Sequence, residues 1–139
     1  MKNSVSRIIT LIFLVTLFFS SCKKTESAAP STTSTSTTPS GKFVGNWYDS
    51  ENSSNSTNTY QVVIEAPNTS TILFTNLYGF HVTKISANIS NNNFTIPSQI
   101  VEGNNVSGSG VLTTPNQINM TFVVDNGLNS DNVTAVLTK

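Results

Sequence analysis

Gln117-Ile118-Asn119-Met120-Thr121-Phe122-Val123-Val124-Asp125 places Ile118, Met120, Phe122 and Val124 at every second position. Successive side chains of an extended strand point to opposite faces, so this run gives one apolar face and one polar face. It is bounded by Thr114-Pro115-Asn116 on one side and Asn126-Gly127 on the other. Both carry turn chemistry: proline fixes φ, while asparagine and glycine tolerate positive φ. Beyond the second turn the same alternation returns in Val133, Ala135 and Leu137.

Working outward, further short segments repeat the pattern, and none shows helical spacing over three turns. The expected strands are Phe43–Asp49, Thr59–Ala66, Ser70–Asn76, Phe80–Ile89, Asn93–Ile96, Val106–Thr113, Gln117–Asp125 and Asn132–Thr138. Phe80 and Val82 share one face, whereas Ile85, Ala87 and Ile89 share the other, so a β-bulge is expected near Thr83 or Lys84. Gly108 and Gly110 fall on the face of Val106 and Leu112, which suits a sharply coiled strand, a close backbone approach, or room for a ligand. Short links favour antiparallel neighbours. The fold class is therefore all-β, a meander of about eight short strands closing into a β-barrel, with a β-sandwich as the alternative.

The chain has 139 residues and a single cysteine. Lys2 and Arg7 precede the apolar run Ile8–Phe19, the order of a secretory signal. As a helix that run would span roughly 18 Å at about 1.5 Å per residue. A hydrocarbon core is about 30 Å thick, so a permanent transmembrane helix is disfavoured. Thr25–Ser40 is almost wholly Ser, Thr, Ala and Pro. Such a stretch has no apolar face to bury and reads as a disordered tether with a reach of roughly 25 Å. The domains are accordingly 1–21 signal peptide, 22–41 lipidated cysteine and tether, and 42–139 barrel.

Phe19-Ser20-Ser21-Cys22 resembles the lipobox of bacterial lipoproteins. That resemblance implies cleavage before Cys22 and a diacylglyceryl group on its sulfur, and two acyl chains make a stable anchor. Lys23-Lys24-Thr25-Glu26 lacks the aspartate that retains many such proteins at the inner membrane, so an outer-membrane lipoprotein of the cell envelope is expected. Gly45-Asn46-Trp47 resembles the Gly-x-Trp signature of lipocalins, whose tryptophan plugs the barrel floor. Taken with the tether and the short strands, the chain is similar to the small lipocalin-like lipoproteins of Bacteroidota. No arginine follows Arg7, so the arginine that packs on that tryptophan in lipocalins has no counterpart here.

From Cys22 onward Lys23, Lys24, Lys42, Lys84 and Lys139 face seven acidic residues. With no basic stripe to neutralise phosphates, nucleic acid is not an expected partner. His81 is the lone histidine, read as a surface strand residue, and without a cysteine partner it builds no usual zinc site. No Gly-x-Ser-x-Gly elbow is present. Asp49 and Glu51 would share a strand face, an arrangement able to pair carboxylates for acid–base work. The polar run from Asn52 to Asn58 follows directly, so they read instead as a solvated strand end. Asp125, Asn129 and Asp131 loosely resemble a calcium loop, although Gly127 is misplaced and Val136 stands at the twelfth position. A hairpin turn at Asn126-Gly127 accounts for the same residues.

No catalytic residue, metal site or cofactor is expected, apart from the covalent lipid on Cys22. Trp47, Tyr48 and Tyr78 are the candidate binding residues, since rings beside amides suit a glycan. The expected function is a non-catalytic interaction module that contacts an unidentified protein or glycan and is held to the membrane by lipid. A lipocalin-like carrier of a small apolar ligand is the alternative, as is a glycan-binding module. An eight-stranded barrel is just wide enough for side chains or one small ligand. Tyr60, Ile64, Ile72, Phe74, Phe80, Phe94, Met120, Phe122 and Leu137 are expected to fill it, leaving no enclosed pocket above about 300 Å³.

Overall fold

The computed structural model describes residues 38–53 and 57–139, which belong to one compact unit. The signal segment, Cys22 and the tether up to residue 37 lie outside the described residues. Among the described residues eight strands run: β1 Gly45–Asn52, β2 Thr57–Glu65, β3 Thr71–Thr75, β4 Ile85–Ser90, β5 Asn93–Val101, β6 Asn104–Thr114, β7 Gln117–Asp125 and β8 Ser130–Thr138. Each pairs antiparallel with the next, and β8 returns to β1 with Asp49 opposite Leu137 and Glu51 opposite Ala135. The barrel is closed, so no strand presents a free edge.

Three departures from the expected strands have local causes. The chain from Phe80 to Lys84 is not a strand: Asn76 and Tyr78 take positive φ (68° and 56°), a 3₁₀ turn covers Leu77–Gly79, and β4 starts only at Ile85. The change of apolar phase therefore marks a loop rather than a bulge, and His81 is exposed in that loop. The bulge falls instead in β5 between Ile96 and Gln99, where Pro97 lacks the N–H a regular ladder needs. The strand continues past it to Val101. Glu102 and Gly103, with φ of 47° and 84°, then close a two-residue hairpin to Asn104.

The third departure is at the amino terminus. Thr38–Phe43 forms successive turns, with Gly41 N–H donating to Thr38 O and Phe43 N–H to Ser40 O. Ser40 and Phe43 are buried, so the folded part extends at least to Thr38, four residues ahead of the expected boundary. This turn sits at the end of the barrel where β1 begins and β8 ends, here called the floor. The opposite end, the mouth, is framed by the ends of β1, β3, β5 and β7 and by the 3₁₀ turn.

The expected inward residues are the core. Ile64, Ile72, Phe74, Phe94, Met120, Phe122 and Leu137 are buried, and the Phe94 ring packs against Phe74 (5.3 Å) and edge-on to Phe43 (5.9 Å). Glycine makes room for these rings. A Cβ at Gly110 would strike the Phe94 ring and lie 2.7 Å from the Cβ of Met120, while one at Gly108 would lie 2.5 Å from the Cβ of Phe122. Of the readings of this glycine pair, close approach is therefore the one realised.

Candidate functional site

Because side chains alternate along β1, Trp47 fixes the direction of its neighbours two and four positions on. Trp47, Asp49 and Glu51 all point inward, and Tyr48 points outward. Asp49 is fully buried and Glu51 nearly so, contrary to the expected solvated strand end. In the adjacent strands Tyr60 of β2 stands opposite Asp49. Asp131, which leads the inward row of β8 toward Leu137, is buried as well. Three carboxyl groups thus lie inside the mouth half of a barrel that is otherwise apolar.

The 3₁₀ turn ties itself to two of them. The Tyr78 backbone N–H donates to Glu51 Oε1 at 3.1 Å, and the Tyr78 hydroxyl donates to Asp131 Oδ2 at 2.8 Å. Its ring packs edge-on to Phe122 at 6.0 Å and tilted against Phe80 at 5.5 Å, while Leu77 is fully buried beneath. Segment 76–80 therefore forms a flap over the mouth. Asn76, Tyr78 and Gly79 are all left-handed; asparagine and glycine tolerate this, whereas for Tyr78 the conformation costs of order 1–3 kcal/mol and persists only where surrounding contacts enforce it.

Burial sets the electrostatics. Removal from water, and then the Glu51 charge, push Asp49 up to about 8. Burial also raises Glu51, against the hydrogen bonds that favour its charged form. As a carboxylate, Asp49 has no hydrogen-bond donor on either oxygen. As a carboxylic acid it faces Glu51 as an acceptor, so the pair holds one proton between them through the neutral range. Burial first, then the neighbouring acids, raise both tyrosines, with Tyr78 pushed up to about 12. The Tyr60 hydroxyl is buried beside Glu51, whose charged form it favours.

The expected binding residues do not converge. Trp47 is fully buried, its indole N–H donating to Phe43 O at 2.8 Å, and it can meet no glycan. Lys139 closes the floor over it: Nζ lies 4.3 Å from the centre of the ring system and donates to Val44 O at 2.9 Å. The expectation that nothing would stand over this tryptophan is thereby corrected: a lysine just past the end of β8 packs there instead of an arginine. Tyr48 is 60 % exposed on the outer wall. Only Tyr78 belongs to the mouth.

The suggested calcium loop is likewise divided. The Asp125 carboxylate accepts from Gly127 N–H, Asn126 Oδ1 accepts from the N–H groups of Leu128 and Asn129, and Asp131 turns into the barrel. Among the described residues no group of three or more metal-binding side chains is gathered closely enough for one ion. Outside the floor, an open groove of about 940 Å³ runs past Lys42, Val44, Ala66, Leu112, Pro115 and Lys139. None of the nine expected core residues lines it.

These features define a small closed antiparallel eight-stranded β-barrel with a plugged floor and an acidic, flap-covered mouth. No protein family matches the chain, and no curated protein does. Solved structures do share the fold. A redesigned β-barrel aligns with TM-score 0.54 and 15 % identity over 73 % of this chain and 94 % of its own. The redesigned β-barrel mFAP1, bound to DFHBI, aligns with TM-score 0.51 and 17 % identity over 73 % and 98 %. EF1p2_mFAP2b, also bound to DFHBI, aligns at 0.51 and 14 % over 70 % and 94 %. At such identities the likeness is one of fold.

Proposed function

We propose that this chain is a lipid-anchored, non-catalytic binding module of the bacterial cell envelope that takes a small ligand at the barrel mouth. The observation that carries the reading is the buried group Asp49, Glu51 and Asp131 beneath a strained flap. Buried charge in a small apolar core weakens folding unless it is paired, and its retention at one end fits a role in recognition. The architecture suits this use, since two of the similar barrels are bound to DFHBI.

The anchor rests on the lipobox-like Phe19-Ser20-Ser21-Cys22. The chain from it joins the barrel at the floor, leaving the mouth at the other end. There the loops expose Val82 and Leu128, 87 % and 90 % accessible, as an apolar rim. A carrier whose cargo fills the whole interior is less well supported, because side chains occupy that space. A fragment screen by amide NMR on the mature chain tests the proposal. Ligands should perturb Glu51, Tyr78 and Asp131 together, and hits confined to the outer wall or the floor groove would refute it.

A further inference from the structure

We infer that the groove outside the floor docks onto the membrane, its lysines Lys42 and Lys139 holding the phosphate of an anionic phospholipid headgroup beside the apolar walls. The inference is independent of any ligand at the mouth. It rests on the lipid anchor proposed above, which brings the floor to a bilayer.

Charge is the first ground. Among the described residues the lysines are Lys42, Lys84 and Lys139; two of them line the groove, and no aspartate or glutamate does. Lys84 is paired with Glu65 on the wall. The other described acids lie toward the opposite end: Asp49, Glu51 and Asp131 inside the mouth half, Glu102 and Asp125 where β5 and β7 finish. The barrel is therefore positive at the floor and negative at the mouth, and an anionic bilayer attracts the first and repels the second. Counting the carboxylate that Lys139 carries at the end of the chain, the groove keeps a net positive charge. Donors are the second ground. Lys42 Nζ donates to Asn92 Oδ1 and Lys139 Nζ to Val44 O, and an ammonium has three N–H groups, so each has donors left for phosphate oxygens. Partial burial lowers Lys139 from its ordinary pKa, and a phosphate beside it works against that loss of charge.

Shape and place are the third. Val44, which is exposed, and Ala66, Leu112 and Pro115 give the open groove of about 940 Å³ its apolar walls. Such walls suit the glycerol and first acyl carbons beneath a headgroup, the depth at which peripheral proteins bury apolar surface. The chain leading back to Cys22 leaves the barrel here: Thr38 lines the same groove and stands 16 positions after that cysteine. A stretch of that length spans at most about 55 Å. An anchor on Cys22 would therefore hold the groove close to the bilayer at high effective concentration, where two lysines that bind weakly from free solution are enough to dock it. The docked floor turns the mouth away from the membrane.

Vesicle flotation tests this, using the whole mature chain with Cys22→Ser so that the groove is read without the lipid. The chain should bind phosphatidylcholine vesicles containing phosphatidylglycerol about tenfold or more tightly than phosphatidylcholine alone, and added salt should remove the difference. Lys42→Gln and Lys139→Gln should each weaken that binding about fivefold, while Lys139→Arg retains it and Lys84→Gln leaves it unchanged. Should Lys139→Gln lose its cooperative melting transition, Lys42→Gln decides. In NMR spectra a spin-labelled headgroup should broaden the amides of Val44, Asn68 and Thr113 and spare those of Val82 and Leu128. Equal binding to both vesicles, or indifference to Lys42→Gln, would overturn the inference, as would floor resonances that answer to inorganic phosphate but not to vesicles. Palmitate labelling reads the anchor separately: a labelled native chain with an indifferent groove leaves the anchor standing, and an unlabelled one overturns the anchor whatever the vesicles show.

Discussion

At the scale of single residues, Asp49 sets the chemistry of the mouth. Its raised pKa means that the folded barrel keeps a proton which the unfolded chain has lost above the ordinary carboxyl range. This contribution to stability is complete at low pH and is lost as pH rises toward about 8, by up to about 1.4 kcal/mol per pH unit for one proton. Melting curves should show the transition temperature falling across that window. Asp49→Asn, which cannot ionise, should flatten the dependence and leave the barrel more stable at the alkaline end. Trp47 behaves in the opposite way, as a structural residue. Trp47→Ala should cost about 3–5 kcal/mol by denaturant unfolding, since it empties the floor. Lys139→Ala should cost nearer 1 kcal/mol, the worth of an exposed cation–π contact.

At the scale of elements, β6 and the flap carry the strongest constraints. Gly110→Ala in β6 should destabilise by about 1–3 kcal/mol, because the added methyl meets the Phe94 ring and Met120. Chemical denaturation would measure this, and a neutral result would mean that β6 bends differently. Most strands were legible because a barrel wall imposes strict alternation, as in Gln117–Asp125 and its partner from Ser130 to Thr138. Legibility failed where the backbone leaves the ladder. Phe80 and Val82 alternate as a strand would, yet the positive φ of Tyr78 goes with tertiary contacts to Glu51 and Asp131, and that of Asn76 with its side-chain hydrogen bond to Gln61 O, none of which a local pattern encodes. Pro97 likewise read as a strand end, whereas a bulge absorbs it.

At the scale of the whole molecule, closure gives every strand two partners and separates a floor from a mouth. The floor is sealed by Phe43, Trp47 and Lys139, and the acids lie toward the other end. One signal for that site was present in the sequence: Asp49 and Glu51 share the parity of Trp47, so an inward tryptophan makes both acids inward. The polarity of the following Asn/Ser run pointed to solvent instead, and the arrival of Asp131 and Tyr78 from distant parts of the chain has no sequence signature. For the proposed anchor, labelling with radioactive palmitate should mark the native protein and leave Cys22→Ser unlabelled and soluble. The central claim is that two buried carboxyls share a proton in the mouth. Carbon-detected NMR titration of the side-chain carboxyls tests it most directly: Asp49 and Glu51 should titrate together, with one proton retained up to about pH 8. Independent titration of both in the ordinary carboxyl range would contradict it.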